Sequence, residues 1–221
     1  MKKLLCINTI NNFKDTIYDP FLEPFKVENP EIDVVTITDD TLLRETREKG
    51  GVTPSILRRM YAYANCGIDM GAQCIMCTCT SVNKATELLA SLMPVPMFSI
   101  EKPTAEAAVN FGAKIGVIGT VSSSPGAIGR VMQEYADSIG KKIELVPVVV
   151  TNAFEVLSSG DRETHDKMVR QALIELSKNV DCVVFAQISM SLLPCDGIDA
   201  TIFKIGLPGL EKARQILMND V

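Results

Sequence analysis

The chain has 221 residues, room for one large domain or two small ones and for a substantial core. Its 22 Lys and Arg against 27 Asp and Glu leave a net charge of −5, so the clustered basic charge that releases counterions from nucleic acid is missing. Apolar runs such as residues 146–150 fall far short of the roughly 20 residues that cross a bilayer, and the opening MKKLLCINTINN has too few apolar residues for a signal-peptide core. The expectation is a cytoplasmic protein with no nucleic-acid or membrane partner. Seven cysteines, an odd number, then belong to reduced thiols rather than to a disulfide framework.

Short β-branched runs alternate with longer amphipathic stretches, the pattern of a parallel sheet with helical crossovers, and the fold class is α/β. Strands are expected at residues 3–7, 32–37, 73–78, 95–99, 114–118, 143–149 and 182–186, with a short one near Thr201. Thr53-Pro54 reads as an N-cap followed by proline at the first helical position and opens a helix to about Ile68. Pro125 opens another toward Ile139, and Thr164 or Asp161 caps one that runs to about Lys178.

The second half repeats the first. Lys3 to Thr9 resembles Lys114 to Thr120 at a separation of 111 positions, Ile32 to Val35 falls against Ile143 to Val146 at the same separation, and Gln73 to Thr78 matches Asp181 to Ala186 at 108. The expectation is two similar parallel-sheet halves related by a pseudo-twofold axis. The first spans residues 1–100, joined by a C-terminal helix at 207–221, and the second spans 101–206. Ligands of open α/β sheets bind beyond the carboxyl ends of the strands, so the two halves are expected to share a cleft.

Cys79, in Met76-Cys77-Thr78-Cys79-Thr80-Ser81, ends the third strand and leads into a helix expected near Val82. Free N–H groups and the positive end of a helix dipole favour a thiolate, which marks Cys79 as a nucleophile or base with a lowered pKa. The bland alternative is a buried small hydrophobe. Thr80 and Ser81 add hydroxyls to an anion-binding mouth. Cys74, Cys77 and Cys79 have a spacing reminiscent of zinc ribbons, but they lie in one apolar run without a second pair, and no metal is expected.

His165, the only histidine, is a candidate proton carrier, against the alternative of a solvated residue beside an N-cap. Gly119-Thr120-Val121-Ser122-Ser123 follows a strand and opens a helix, so Thr120, Ser122 and Ser123 are candidate anion ligands, and Asn8 occupies the matching point of the first half. Neither a Walker loop nor a Gly-x-Gly-x-x-Gly turn is present, and no cofactor is expected. Asp39 and Asp40 read as a helix start rather than as a catalytic pair.

With these segments in order, the chain resembles the aspartate/glutamate racemase superfamily over essentially its whole length. Met76-Cys77-Thr78-Cys79-Thr80-Ser81 is similar to the first cysteine motif, with Cys79 on the catalytic thiol. Ile115-Gly116-Val117-Ile118-Gly119-Thr120 is similar to the stretch that opens the second half, with Thr120 and the serines after it on substrate-carboxylate contacts. Asp40-Thr41-Leu42-Leu43, His165-Asp166 and Ala186-Gln187-Ile188-Ser189-Met190 resemble a hydantoin-racemase-like subgroup.

The family's second cysteine is replaced by Gln187-Ile188-Ser189. Racemisation without a cofactor asks for two ionisable groups astride one carbon, and Gln187 and Ser189 do not supply the second. The resemblance therefore implies a cofactor-independent isomerase or lyase acting on a small carboxylic or amino acid. Cys79 works alone or with His165, while Gln187, Ser189, Thr80, Ser81 and the Ser122 region bind the substrate; single-thiol relatives include decarboxylases and a cis-trans isomerase. The resemblance also implies a homodimer. The alternatives left open are an inactive protein that binds or senses small acids and a metal or redox protein built on the three cysteines.

Overall fold

The computed structural model describes residues 1–219, and the chain divides into two compact units. One comprises Met1–Glu101 and the chain from Gly206 onward; the other is Lys102–Ile205.

In the first unit, β1 (Lys2–Asn8), β2 (Ile32–Thr38), β3 (Cys74–Cys77) and β4 (Met97–Ser99) form a parallel sheet in the order β2-β1-β3-β4. Every residue of β3 and β4 and the last five of β1 are buried, as expected of strands covered on both faces. Side chains alternate between the faces. Leu5, Ile7, Ile75 and Cys77 pack in one core with residues of the helices α2 (Asp40–Lys49) and α3 (Pro54–Asp69), among them Leu42, Ile56, Met60 and Ala64. The helix α9 (Leu207–Met218) packs on β1 and β3. The stretch expected at 207–221 therefore opens as a helix, and positions 220–221 lie outside the described residues.

Local chemistry sets the helix starts. Thr53 caps α3 through its hydroxyl, which accepts from Ile56 N at 3.2 Å ahead of Pro54. Asp39 caps α2, accepting from Thr41 N at 2.9 Å. Each cap is worth about 1 kcal/mol. A π-helix (Lys14–Leu22) followed by α1 (Glu23–Glu28) connects β1 to β2. Periodicity does not announce this segment, because Pro20 lies inside the wide turn and removes a backbone donor.

The second unit repeats the plan. β5 (Lys114–Gly119), β6 (Glu144–Val149), β7 (Cys182–Phe185) and β8 (Thr201–Phe203) are parallel in the order β6-β5-β7-β8, the same permutation as in the first sheet. The crossovers are α5 (Lys102–Phe111), α6 (Ser123–Ser138), α7 (Ala153–Ser158) and α8 (Arg162–Ser177). The helix expected from Pro125 starts two residues earlier, with Pro125 in its first turn, where a missing N–H costs nothing. Asp161, not Thr164, caps α8, its carboxylate accepting from Thr164 N at 2.9 Å. The chain is thus an α/β protein made of two similar halves.

Candidate functional site

Cys79 lies just past β3 and is the N-cap of a single 3-10 turn, Thr80–Val82, which leads into α4 (Asn83–Ala90). It is partly exposed, whereas Cys77 and Cys74 below it are fully buried. The expected lowering of the Cys79 pKa does not occur. Burial pushes the thiol up, and this outweighs the Thr9 side chain and the N–H groups of Ser81 and Val82, which pull it down; charge on Glu101 would push it further up. The reason is burial, which costs the thiolate more than the hydrogen bonds at the start of this turn return. The resting thiol therefore holds its proton at neutral pH. Cys74 and Cys77 are pushed up to about 12, chiefly by burial. Among the described residues no group of three His, Cys, Asp or Glu side chains could hold a metal ion.

Around Cys79 the side chains are polar but enclosed. Thr80 and Ser81 are buried. Asn8 is also buried and is used as a tie: its amide Nδ2 donates to the carbonyls of Cys6 and Ile37, each at 3.4 Å, and its Oδ1 accepts from Thr78 Oγ1 at 2.7 Å. That arrangement locks the carboxyl ends of β1, β2 and β3 together.

Sequence reasoning missed Glu101, which follows β4. It is fully buried, its Oε1 accepts from Asn83 Nδ2 at 2.9 Å, and its Oε2 is enclosed with no hydrogen-bond partner. Burial raises its pKa against the opposing pull of the Asn83 and Ser99 side chains. The signal available was a single acidic residue ending the apolar run Met97-Phe98-Ser99-Ile100.

The second unit places Gln187 where the first places Cys79. Both residues are extended N-caps of a 3-10 turn, Ile188–Met190 in the case of Gln187, and they stand 108 positions apart in the repeat. The Gln187 Oε1 accepts from Thr120 N at 2.6 Å, Val121 N at 3.0 Å and Thr120 Oγ1 at 3.1 Å. An oxygen held by two adjacent backbone N–H groups and a hydroxyl at the start of α6 sits as one oxygen of a bound carboxylate would. Thr120 stands to Gln187 as Thr9, 111 positions earlier, stands to Cys79. Of the neighbouring candidates, Ser122 is exposed, Ser123 half-buried and Ser189 buried within the 3-10 turn.

His165 is not solvated. It lies on the buried stripe of α8 with Val169 and Leu173, and its Nδ1 pairs with Asp166 Oδ1 at 2.7 Å. Its Nε2 is buried without a partner. Asp39 works structurally, as its position at a helix start implied. Arg59 Nη1 donates to Asp39 Oδ2 at 2.7 Å and Tyr63 Oη donates to the same oxygen at 2.9 Å, while Arg59 also pairs with Glu45.

The model of the Asp/Glu/hydantoin racemase family matches residues 28–208. No curated protein matches the sequence. Among solved structures the chain is similar to a candidate Asp/Glu racemase from Yersinia pestis, at 18% identity with a TM-score of 0.76, covering 99% of this chain and 100% of that one. It is similar to an aspartate racemase homologue from Pyrococcus horikoshii, at 15% identity and a TM-score of 0.71, with 99% and 100% covered. An allantoin racemase from Klebsiella pneumoniae gives 10% identity and a TM-score of 0.68, with 99% and 88% covered. At these identities the structures speak for the fold, while the family match spans most of the chain: the protein belongs to the Asp/Glu/hydantoin racemase family.

Proposed function

We propose that the protein is a cofactor-independent isomerase or lyase that acts on a small carboxylic or amino acid through the single thiol of Cys79. The observation that carries this reading is Cys79 itself: a partly exposed thiol at the carboxyl end of β3, flanked by the Thr9 side chain and by the N–H groups of Ser81 and Val82. A thiol that keeps its proton at neutral pH is suited to act first as an acid. In a decarboxylation, loss of carbon dioxide leaves a carbanion. The Cys79 S–H bond then breaks to protonate that carbon, and the resulting thiolate takes a proton back from water. In a cis-trans isomerisation Cys79 gives its proton to water and the thiolate, eased by the Ser81 and Val82 N–H groups, adds to one carbon of the substrate's double bond as the π pair moves toward the carboxylate. After rotation about the resulting single bond that pair re-forms the double bond and the C–S bond breaks, returning the thiolate. Two-base racemisation is disfavoured because Gln187, the counterpart of Cys79, carries no ionisable proton.

In this reading each unit carries its own carboxylate-recognising residues, Thr80 and Ser81 in the first, with Asn8 holding the strand ends in place, and Thr120, Ser122, Ser123, Gln187 and Ser189 in the second. His165, with its unpartnered Nε2, is the candidate proton carrier of the second unit. The protein is proposed to work as a cytoplasmic homodimer. Replacing Cys79 by Ser tests the reading: turnover should fall by several orders of magnitude, and a variant within tenfold of wild type would exclude it.

A second reading is favoured by two observations, the raised Cys79 pKa and the Gln187 oxygen seated on the Thr120 and Val121 N–H groups. In it the fold binds small acids without turning them over. It predicts saturable binding with no proton exchange at the α-carbon in deuterated water, so exchange above the rate in buffer rejects it.

A further inference from the structure

Glu101 is an enclosed acid for which the reaction outlined above has no use. Its placement relative to Cys79 follows from the sheet. Cys77 and Ser99 are the last paired residues of β3 and β4, and Ile100 N donates to the Cys77 carbonyl at 2.9 Å. Cys79 and Glu101 each lie two positions beyond that pair, on neighbouring strand ends. We propose that Glu101 is the positioning partner of Cys79, a buried carboxyl group whose negative charge opposes that of the thiolate, so that the pair favours a single negative charge and the acid sets the pH at which the thiolate forms. The proposal rests on Cys79 being the working thiol.

Three observations carry it. First, Glu101 has no exposed surface and one of its oxygens has no hydrogen-bond partner, which makes its ionised form costly. Second, the titratable groups acting on the pair include Cys77 and Glu87, the latter from α4, and both are anionic when ionised; Asn83 and Ser99 supply neutral hydrogen bonds. Burial, and the charge of a Glu87 that pairs with Lys84 at 3.5 Å, resist a second negative charge there. Third, the repeat is asymmetric in just this respect. Sheet register sets Met97 and Phe98 against Ile202 and Phe203, hence Ile100 against Ile205 and Glu101 against Gly206. Where the cap residue is a thiol the chain supplies Asn83 and a buried acid; where it is the amide of Gln187 the corresponding residues are Ser191 and a glycine.

The test is the pH dependence of Cys79 alkylation by iodoacetamide, read peptide by peptide by mass spectrometry from pH 6 to 10, in the wild type and in Glu101→Gln. With the acid replaced by a neutral amide, Cys79 ionises without a negative neighbour. Its alkylation midpoint should fall by at least about half a pH unit, a gain of about threefold in rate below the midpoint. Superimposable profiles in a folded variant would overturn the proposal. A measurement on the wild type guards against a variant that does not fold. In protein labelled with carboxyl-13C glutamate, one resonance should titrate above about pH 6 against an ordinary value near 4.3, and its midpoint should move when Cys79 is carbamidomethylated. If every glutamate titrates in the ordinary range, or the raised one ignores the modification, the proposal is wrong. Neither readout needs a substrate. Unchanged alkylation together with activity lost in Cys79→Ser therefore removes the role of Glu101 alone, whereas a shifted profile with activity retained in Cys79→Ser removes the catalytic reading alone.

Discussion

The Gln187 oxygen accepts from two backbone N–H groups and a hydroxyl, so Gln187→Ala should both weaken the fold and leave donors that an anion can take. The substitution removes one acceptor serving two backbone N–H groups and one hydroxyl, at 2.6, 3.0 and 3.1 Å. Each such bond contributes roughly 0.5–1.5 kcal/mol net. The Thr120 hydroxyl can turn to another acceptor, and water can enter the space left by a side chain that is only half-buried, so the loss should be about 2 kcal/mol rather than the full sum. For a chain of this length that is a fall in Tm of about 4–8 °C, measured by calorimetry or by intrinsic tyrosine fluorescence. Formate, titrated at constant ionic strength, should return most of the loss to Gln187→Ala by binding the vacated N–H groups, by up to about 2.7 kcal/mol at a hundredfold its Kd, and should stabilise the wild type less, because there the Gln187 oxygen already holds those N–H groups. Gln187→Glu should melt near the wild type, since a carboxylate oxygen can take the same seat. A Gln187→Ala protein that melts within 1 °C of wild type and is indifferent to formate would refute the idea that this turn is a built carboxylate receptor.

Native-state alkylation at pH 8 should modify exposed Cys66 first and leave Cys74, Cys77 and Cys182 untouched, their thiols held up to about 12, 12 and 11 mainly by burial; peptide mass spectrometry checks the order. Arg59→Ala should cost about 1–2 kcal/mol in urea unfolding, because Asp39 and Glu45 lose a shared partner that is only partly screened by solvent. The Asp39 carboxyl feels burial pushing it up, but hydrogen bonds from Thr41 and Tyr63 and the Arg59 charge win and hold it below the usual range. Its stabilisation is therefore present above the unfolded-state value near 3.9 and is lost as pH falls, so the urea midpoints of wild type and Asp39→Asn should converge between pH 6 and pH 3. Gly209→Ala should destabilise by about 1–3 kcal/mol, since a Cβ there meets the Ile100 carbonyl oxygen at 2.6 Å and backbone cannot swing aside. Because Ile100 precedes Glu101, the same substitution should also speed iodoacetamide labelling of Cys79.

What was legible in the sequence was whatever repeats or alternates. Runs such as Lys114-Ile115-Gly116-Val117-Ile118 announced buried parallel strands, and the spacing of 111 and 108 positions announced two halves with one strand order. Thr53-Pro54 and Asp39 were readable because capping is local chemistry. The π-helix at Lys14–Leu22 was not, since Pro20 contradicts helical propensity and tertiary packing decides the matter. Cys79 was singled out from its place after a strand, yet its pKa was misjudged because burial depends on neighbours distant in sequence. His165 was marked as a proton carrier against the alternative of a solvated residue beside an N-cap, and it is buried, because helical phase sets it in line with Val169 and Leu173. Gln187 was marked as a missing thiol; that its oxygen would sit on the Thr120 and Val121 N–H groups depended on a contact across 67 positions.

The central claim, that a member of this family lacking the second thiol works through Cys79, is tested most directly by proton NMR in deuterated water. Wild type and Cys79→Ser would each be incubated with a panel of small amino, hydroxy and dicarboxylic acids, following loss of the α-proton signal, isomer conversion and decarboxylated product. The account predicts that wild type transforms at least one of these acids and that Cys79→Ser does so slower by several orders of magnitude. Transformation that persists within tenfold in Cys79→Ser, or no exchange, isomerisation or decarboxylation of any acid that the wild type binds, would contradict it.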